Sequence, residues 1–123
     1  MEPSAISIRP FIGAKNFNRS RGFYSDLGFR ETILSPALSL FQTDQLGFYL
    51  QDAFVKDWVD NTMVFLEVDD VESYWNRLLA LDLTSKYADV KLTPIRVEHW
   101  GSECFLHDPS GILWHIGEFS KSK

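Results

Sequence analysis

Apolar and polar positions change their period several times along the chain, and the changes come in the same order twice. Residues 5–12, AISIRPFI, alternate and predict a short strand that Pro10 interrupts. A proline there suits a sheet edge or a hinge rather than a central strand. Asn16 predicts an N-cap, and Phe17, Phe23, Tyr24 and Leu27 follow a helix up to Gly28, a natural stop. Three strands are expected at 29–35, 38–43 and 46–51, with breaks at Ser35–Pro36 and Thr43–Asp44. Residues 52–61, DAFVKDWVDN, read as a polar connector carrying Phe54 and Trp58. The order then restarts. TMVFLEV, 62–68, predicts a strand, Asp69 with Glu72 a capping box, and Val71, Tyr74, Trp75, Leu78 and Leu79 an apolar helix stripe. Strands at 93–98, 103–107 and 112–118 follow. The last two are joined by Asp108–Pro109–Ser110–Gly111, which has type I turn chemistry.

The chain thus reads β-α-β-β-β twice. Superposing the two helices pairs Asn16 with Asp70, Phe17 with Val71, Leu27 with Leu81 and Phe29 with Leu83. This predicts an α+β fold in one domain over 1–123, with module one at about 5–51 and module two at about 62–119. A four-stranded half with one helix cannot bury both its faces, so two halves must pair, within a chain or between chains.

Composition narrows the function. A chain of 123 residues suits a single core. Net charge of −5 argues against nucleic acid or an anionic membrane as partner and is compatible with a cationic ligand. Aromatic content of 15% supplies buried area and also walls for flat ligands. One cysteine allows neither an intramolecular disulfide nor a thiolate cluster. No basic start followed by an apolar run, and no membrane-length segment, is found, so a cytoplasmic protein is expected.

Candidate chemistry concentrates in residues 99–119, HWGSECFLHDPSGILWHIGEF, which hold His99, His107 and His115. Their spacing reflects three consecutive strands, and strand histidines are the simpler reading for the first two. His115 should share a face with Leu113 and Gly117, while Trp114 and Ile116 point to the helix side. Cys104 reads as a buried thiol. Ser102 and Ser110 lack a nucleophile elbow, and no glycine-rich phosphate loop is present. Trp75 and Trp114 read as core. Trp58 and Trp100, in connectors, read as ligand or dimer contacts. Phe65 shares parity with Met63, and Tyr49 with Gln51. Asp60 either meets a cationic ligand or caps a turn.

PFIGAKN, FYSDLGF, DNTMVFLEVDDVESYW, WGSECFLHDPSG and ILWHIGEF together resemble the vicinal-oxygen-chelate superfamily, and within it the bleomycin-resistance proteins. The FY-x-x-LGF and DP-x-G motifs resemble the superfamily broadly. The D-N-T and W-G-x-x-x-F-x-x-x-DP-x-G runs resemble the resistance branch. The resemblance implies a bacterial, cytoplasmic homodimer with concave clefts shared between chains and an N-terminal arm exchanged about Pro10. In the metal-dependent branches the ligand positions would fall on Arg9 (or Ser7), Gln51, Met63 and His115. Arginine and methionine are poor partners for a hard or borderline divalent ion, so neither a metal nor another cofactor is expected.

Trp100 matches the tryptophan near the drug groove of the resistance proteins. Leu38 stands where they carry an aromatic, which weakens bleomycin itself as the ligand and leaves a bleomycin-like or other flat cationic compound as the expected partner. The expected function is metal-free sequestration of a flat, cationic molecule by Leu38, Tyr49, Gln51, Asp60, Phe65, Trp100, Gly111 and His115, with no catalytic residue. The alternative is a lyase, isomerase or dioxygenase with an atypical centre around His115.

Overall fold

A computed structural model describes residues 3–121. Helix α1, Phe17–Leu27, begins where the Asn16 side chain accepts the Arg19 amide and ends at Gly28, whose left-handed φ of 114° few other residues adopt. The strands around it are β1 (Phe11–Gly13), β2 (Arg30–Ser35), β3 (Leu38–Thr43) and β4 (Leu46–Gln51), forming a sheet in the order β1-β4-β3-β2. A short helix α2, Lys56–Asp60, occupies the connector. Module two repeats the plan with β5 (Met63–Glu67), α3 (Val71–Ala80), a short α4 (Leu83–Lys86), β6 (Lys91–Glu98), β7 (Gly101–His107) and β8 (Leu113–Phe119), in the order β5-β8-β7-β6. In both sheets the first and last strands pair in parallel and the rest antiparallel. Within one chain the curved mixed sheet is therefore two separate four-stranded sheets.

Several expected boundaries move, each for a local reason. β1 starts at Phe11, not near residue 5. Pro10 has no amide hydrogen to extend a ladder, and its carbonyl accepts the Tyr49 amide at 2.9 Å as the first rung. Ahead of it Ile6 and Ile8 are 96% and 97% exposed, so their alternation meets no partner strand. Helix α3 is capped by Asp70 rather than Asp69. The Asp70 carboxylate accepts the Ser73 amide at 3.1 Å, and Glu118 from β8 accepts the Val71 amide at 2.9 Å. Leu79 lies off the α3 stripe and is exposed. β6 runs from Lys91 and passes Pro94 where its register with β7 shifts, a bulge on an edge strand, where a proline costs least.

α1 covers one face of the first sheet and α3 one face of the second. The two helix-covered sides merge in one core, and Tyr24 lies at its centre. Its ring meets Phe29, Phe41 and Phe48 of module one and Trp114 of module two, with centroids 4.8–6.2 Å apart. Its hydroxyl donates to Asp108 Oδ2 at 2.6 Å and accepts from Trp114 Nε1 at 2.9 Å. The other Asp108 oxygen accepts the amides of Ser110 and Ile112, so the same carboxylate shapes the β7–β8 turn. Ser110 in turn accepts the Lys15 amide at 2.8 Å, tying that turn to the start of α1. Burial pushes the Asp108 carboxyl above its ordinary range, against hydrogen bonds from Tyr24 and the turn that favour the charged form. No helix among the described residues is long and apolar enough to cross a membrane.

Removing one partner of a buried hydrogen-bonded group strands the other, at about 1–3 kcal/mol each. Tyr24→Phe is expected to lower unfolding free energy by that amount, with an unchanged urea m-value. Asp108→Ala should cost more, since it also releases two turn amides. Urea denaturation checks both, and a Tyr24→Phe cost below about 0.5 kcal/mol, the scale of neutral surface changes, contradicts a joint between the modules.

Candidate functional site

Strand alternation leaves each sheet one open face, opposite its helix. In β8, Trp114 and Ile116 are buried beneath α3, while Leu113, His115 and Phe119 stand on the other side. In β4, Phe48 and Leu50 are buried, and Tyr49 and Gln51 stand open.

On module two, register aligns Phe65, His115, Phe105 and Thr93 in one row and Glu67, Gly117, Glu103 and Arg96 in the next. Three aromatic rings gather at one end of this face. Trp100, from the β6–β7 turn, packs 5.9 Å from Phe65 and 5.3 Å from Phe119, and Phe65 lies 5.7 Å from Phe119. They close over Gly117, where a Cβ would sit 2.8 Å from Phe65 Cζ and 3.2 Å from Trp100 Cη2. Phe65 and Phe119 still expose 44% and 50% of their surface, far more than ring-on-ring packing alone requires.

Beside the rings, His115 Nδ1 lies 2.9 Å from Glu103 Oε1. With a carboxylate as acceptor, Nδ1 carries the proton and Nε2 is the free nitrogen. The imidazole is sandwiched by Phe65, near-parallel at 6.3 Å, and Phe105, edge-on at 5.1 Å. Such a pair can hold a hydrogen-bond donor or take up a proton, and Glu103 fixes the ring that does so. Glu67, opposite Gly117 in the register, adds a second, exposed carboxylate.

Module one's open face carries Tyr49, with Phe11 stacked on it at 4.7 Å and 25°, and Gln51, which registers with Gly13 on one side and Leu38 on the other. Leu38, Tyr49 and Gln51 thus share one face, and Phe65, Trp100 and His115 share another. Asp60 lies at the end of α2 with its carboxylate held by Lys56 Nζ at 2.6 Å. Gly111 sits exposed in the turn before β8 with φ +102°. His99 is exposed in the β6–β7 turn, and His107 is half-buried opposite Leu113. A groove of about 810 Å³ runs between Ile6 and Ile8 of the arm, Leu46 and Phe48 of β4, and Phe65 of β5. The arm residues form its rim without filling it.

The residues at the positions a metal would use do not form a donor set. Gln51 belongs to one sheet, Met63 and His115 to the other, and Arg9, ahead of β1, is itself a cation. Among the described residues no three His, Cys, Asp or Glu side chains gather as a metal-holding group. Cys104 is fully buried on the helix side, and burial pushes its thiol up to about 11, which keeps it protonated and unreactive.

Glu103, Glu67, Phe119 and Phe11 are the residues that strand-by-strand reading passed over. Parity alone places Phe119 with His115 and Phe11 with Arg9. The Glu103–His115 pair needed the cross-strand register, which offsets the two by 12 positions in sequence.

No family model matches the sequence, and no curated protein matches it. Solved structures do. A bleomycin-binding protein from bleomycin-producing Streptomyces verticillus, in complex with copper(II)-bleomycin, is 17% identical with a TM-score of 0.79, covering 97% of this chain and 100% of its own. An antibiotic-binding protein from Streptomyces sp. CB03234 is 19% identical with a TM-score of 0.71, covering 96% of this chain and 100% of its own. A lactoylglutathione lyase from Agrobacterium tumefaciens is 20% identical with a TM-score of 0.71, covering 96% of each chain. Binding proteins and an enzyme thus share this architecture, which by itself assigns no activity. With both βαβββ modules and their strand order in place, the chain has the fold of these bleomycin-binding, antibiotic-binding and lactoylglutathione lyase structures.

Proposed function

We propose that the protein binds a flat, cationic small molecule without transforming it, in a cleft formed where the open faces of two copies meet. The observation that carries this is the half-exposed ring cluster of Phe65, Trp100 and Phe119 with Glu103 and Glu67 beside it. Aromatic faces attract a cation, and adjacent carboxylates neutralise it. The formal charge of −5 steers such a ligand toward the site. Two of the similar structures are of proteins described as binding antibiotics, which favours sequestration inside the cell as the role.

In this reading Trp100 and Phe65 stack on the ligand, and His115 Nε2 accepts one of its N–H or O–H donors. Leu38, Tyr49 and Gln51 of the second copy form the opposite wall. Asp60 and Gly111 precede the paired strand starts Met63 and Leu113, and bound the same end of the site. The donor set recruits neither a metal nor another cofactor. The exposed arm, Ile6 and Ile8 ahead of Pro10, exchanges between copies and covers apolar surface on the partner, with Pro10 as its hinge. Dimerisation also removes from water the large apolar side chains that each open face leaves exposed.

Calorimetric titration with proflavine and with bleomycin tests the reading. At least one should bind, and Trp100→Ala should weaken it by about 3- to 30-fold, the span of a cation–π contact worth about 0.5–2 kcal/mol. Absence of heat and of thermal shift with both compounds sinks it. Gly117→Ala pushes Phe65 and Trp100 off their seat and should weaken the same ligand while the far-UV spectrum is retained. Sedimentation equilibrium should give twice the chain mass of 14.2 kDa, whereas a monomer at tens of micromolar removes the shared cleft.

A further inference from the structure

We propose that the ligand also carries an anionic group, a carboxylate, and that Arg9 on module one's open face is its anchor. This rests on the flat-ligand reading above and adds the opposite charge to it, making the ligand amphoteric.

Arg9 is half-buried immediately before Pro10 and β1. Its guanidinium carbon lies 6.0 Å from the Tyr49 ring centroid, beside the Phe11–Tyr49 stack. One of its five N–H groups reaches the Tyr49 hydroxyl, at a long 3.4 Å, and Nε is buried without a partner. Among the described residues the ion pairs are Arg21–Glu31 and Lys56–Asp60, and neither involves Arg9. A partly desolvated guanidinium with no counter-charge among the described residues is costly, and a carboxylate is the planar acceptor its fork geometry fits.

The surroundings point the same way. Arg9 Nε passes 3.5 Å from where a Cβ on Gly47 would be, so the missing side chain gives the guanidinium its path across β4. Gly47 registers with Gln42, and Gln42 with Arg30, placing an amide and a second guanidinium on the same row. The rows beside it hold Phe11, Tyr49, Leu40 and Thr32, then Gly13, Gln51 and Leu38. No carboxylate stands in any of these rows. The face therefore offers stacked rings for a flat body and hydrogen-bond donors for an anion. Module two's face instead carries Glu67 and Glu103 beside its rings, with Arg96 at the end of their row.

Two matched probes test this: 9-aminoacridine, a flat cation, and 9-aminoacridine-4-carboxylic acid, the same ring with a carboxylate added. The wild-type protein should bind the carboxylate-bearing ring about tenfold tighter, the scale of one charge-assisted hydrogen bond. Arg9→Met should abolish that preference while leaving 9-aminoacridine binding intact, and Arg9→Lys should retain part of it. Far-UV spectra and melting temperatures of both variants verify that they fold. Equal or weaker binding of the carboxylate by the wild type, or a preference that survives Arg9→Met, overturns the anchor and leaves the cation reading standing. Arg9-dependent binding of 2-naphthoate with no binding of 9-aminoacridine upholds the anchor and overturns the cation reading. Failure of all three probes to bind overturns both.

Discussion

A single buried hydroxyl holds the two modules in place. Tyr24 donates to Asp108 and accepts from Trp114, so one atom on α1 fixes both the last turn and the last strand of the chain, 84 and 90 residues away. The surrounding rings supply the buried area, but area is indifferent to small slides. The hydrogen bonds are not. Burial, and then the charge of Asp108, push the Tyr24 phenol well above its usual pKa, so it stays a donor at any physiological pH. The carboxylate has no way to be both dry and satisfied except in this geometry. The two sheets are consequently held with their helix-covered sides inward and their open faces outward.

This joint also explains why two motifs far apart in sequence are both informative. In FYSDLGF, Phe23, Tyr24 and Leu27 are core, and Gly28 supplies the turn that brings Phe29 back onto Tyr24. In HDPSG, Asp108 receives the Tyr24 hydroxyl while its second oxygen organises the turn. Each motif has a local reason that a sequence reader can find, a helix stop and a type I turn. Their contact has none, because it depends on how the modules pack.

The same division runs through the rest of the chain. Elements whose cause is local were legible: the Asn16 cap, the Gly28 stop, the Asp108–Gly111 turn, and the alternation that puts Trp114 inside and His115 outside. Where a distant residue competes, local pattern misleads. Asp69 and Glu72 have capping-box spacing, yet Asp70 caps α3, and Glu118, arriving from β8, accepts the Val71 amide. The alternation of Ile6 and Ile8 resembles a strand, but no sheet edge of the same chain pairs with it. In the candidate site, parity placed His115 and Phe65 on one face, whereas Glu103 emerged only from the β7–β8 register.

Register also makes the internal repeat informative about chemistry. Phe11 pairs with Tyr49 across β1 and β4 as Phe65 pairs with His115 across β5 and β8, and in each pair the rings lie within 25° of parallel. Two residues before these phenylalanines stand Arg9 in one module and Met63 in the other. On the neighbouring third strands Leu38 and Glu103 hold matching places, each opposite the fourth-strand residue two beyond the pair, Gln51 and Gly117. The repeat has kept the aromatic geometry of the two faces while diverging in acidic groups: Glu67 and Glu103 stand with Arg96 in one row of module two, and no carboxylate stands in the matching rows of module one. Core packing does not ask for this, since none of these polar groups lies on the helix side of its sheet. The divergence therefore has its cause outside the core, on the surfaces that packing of the two modules leaves free.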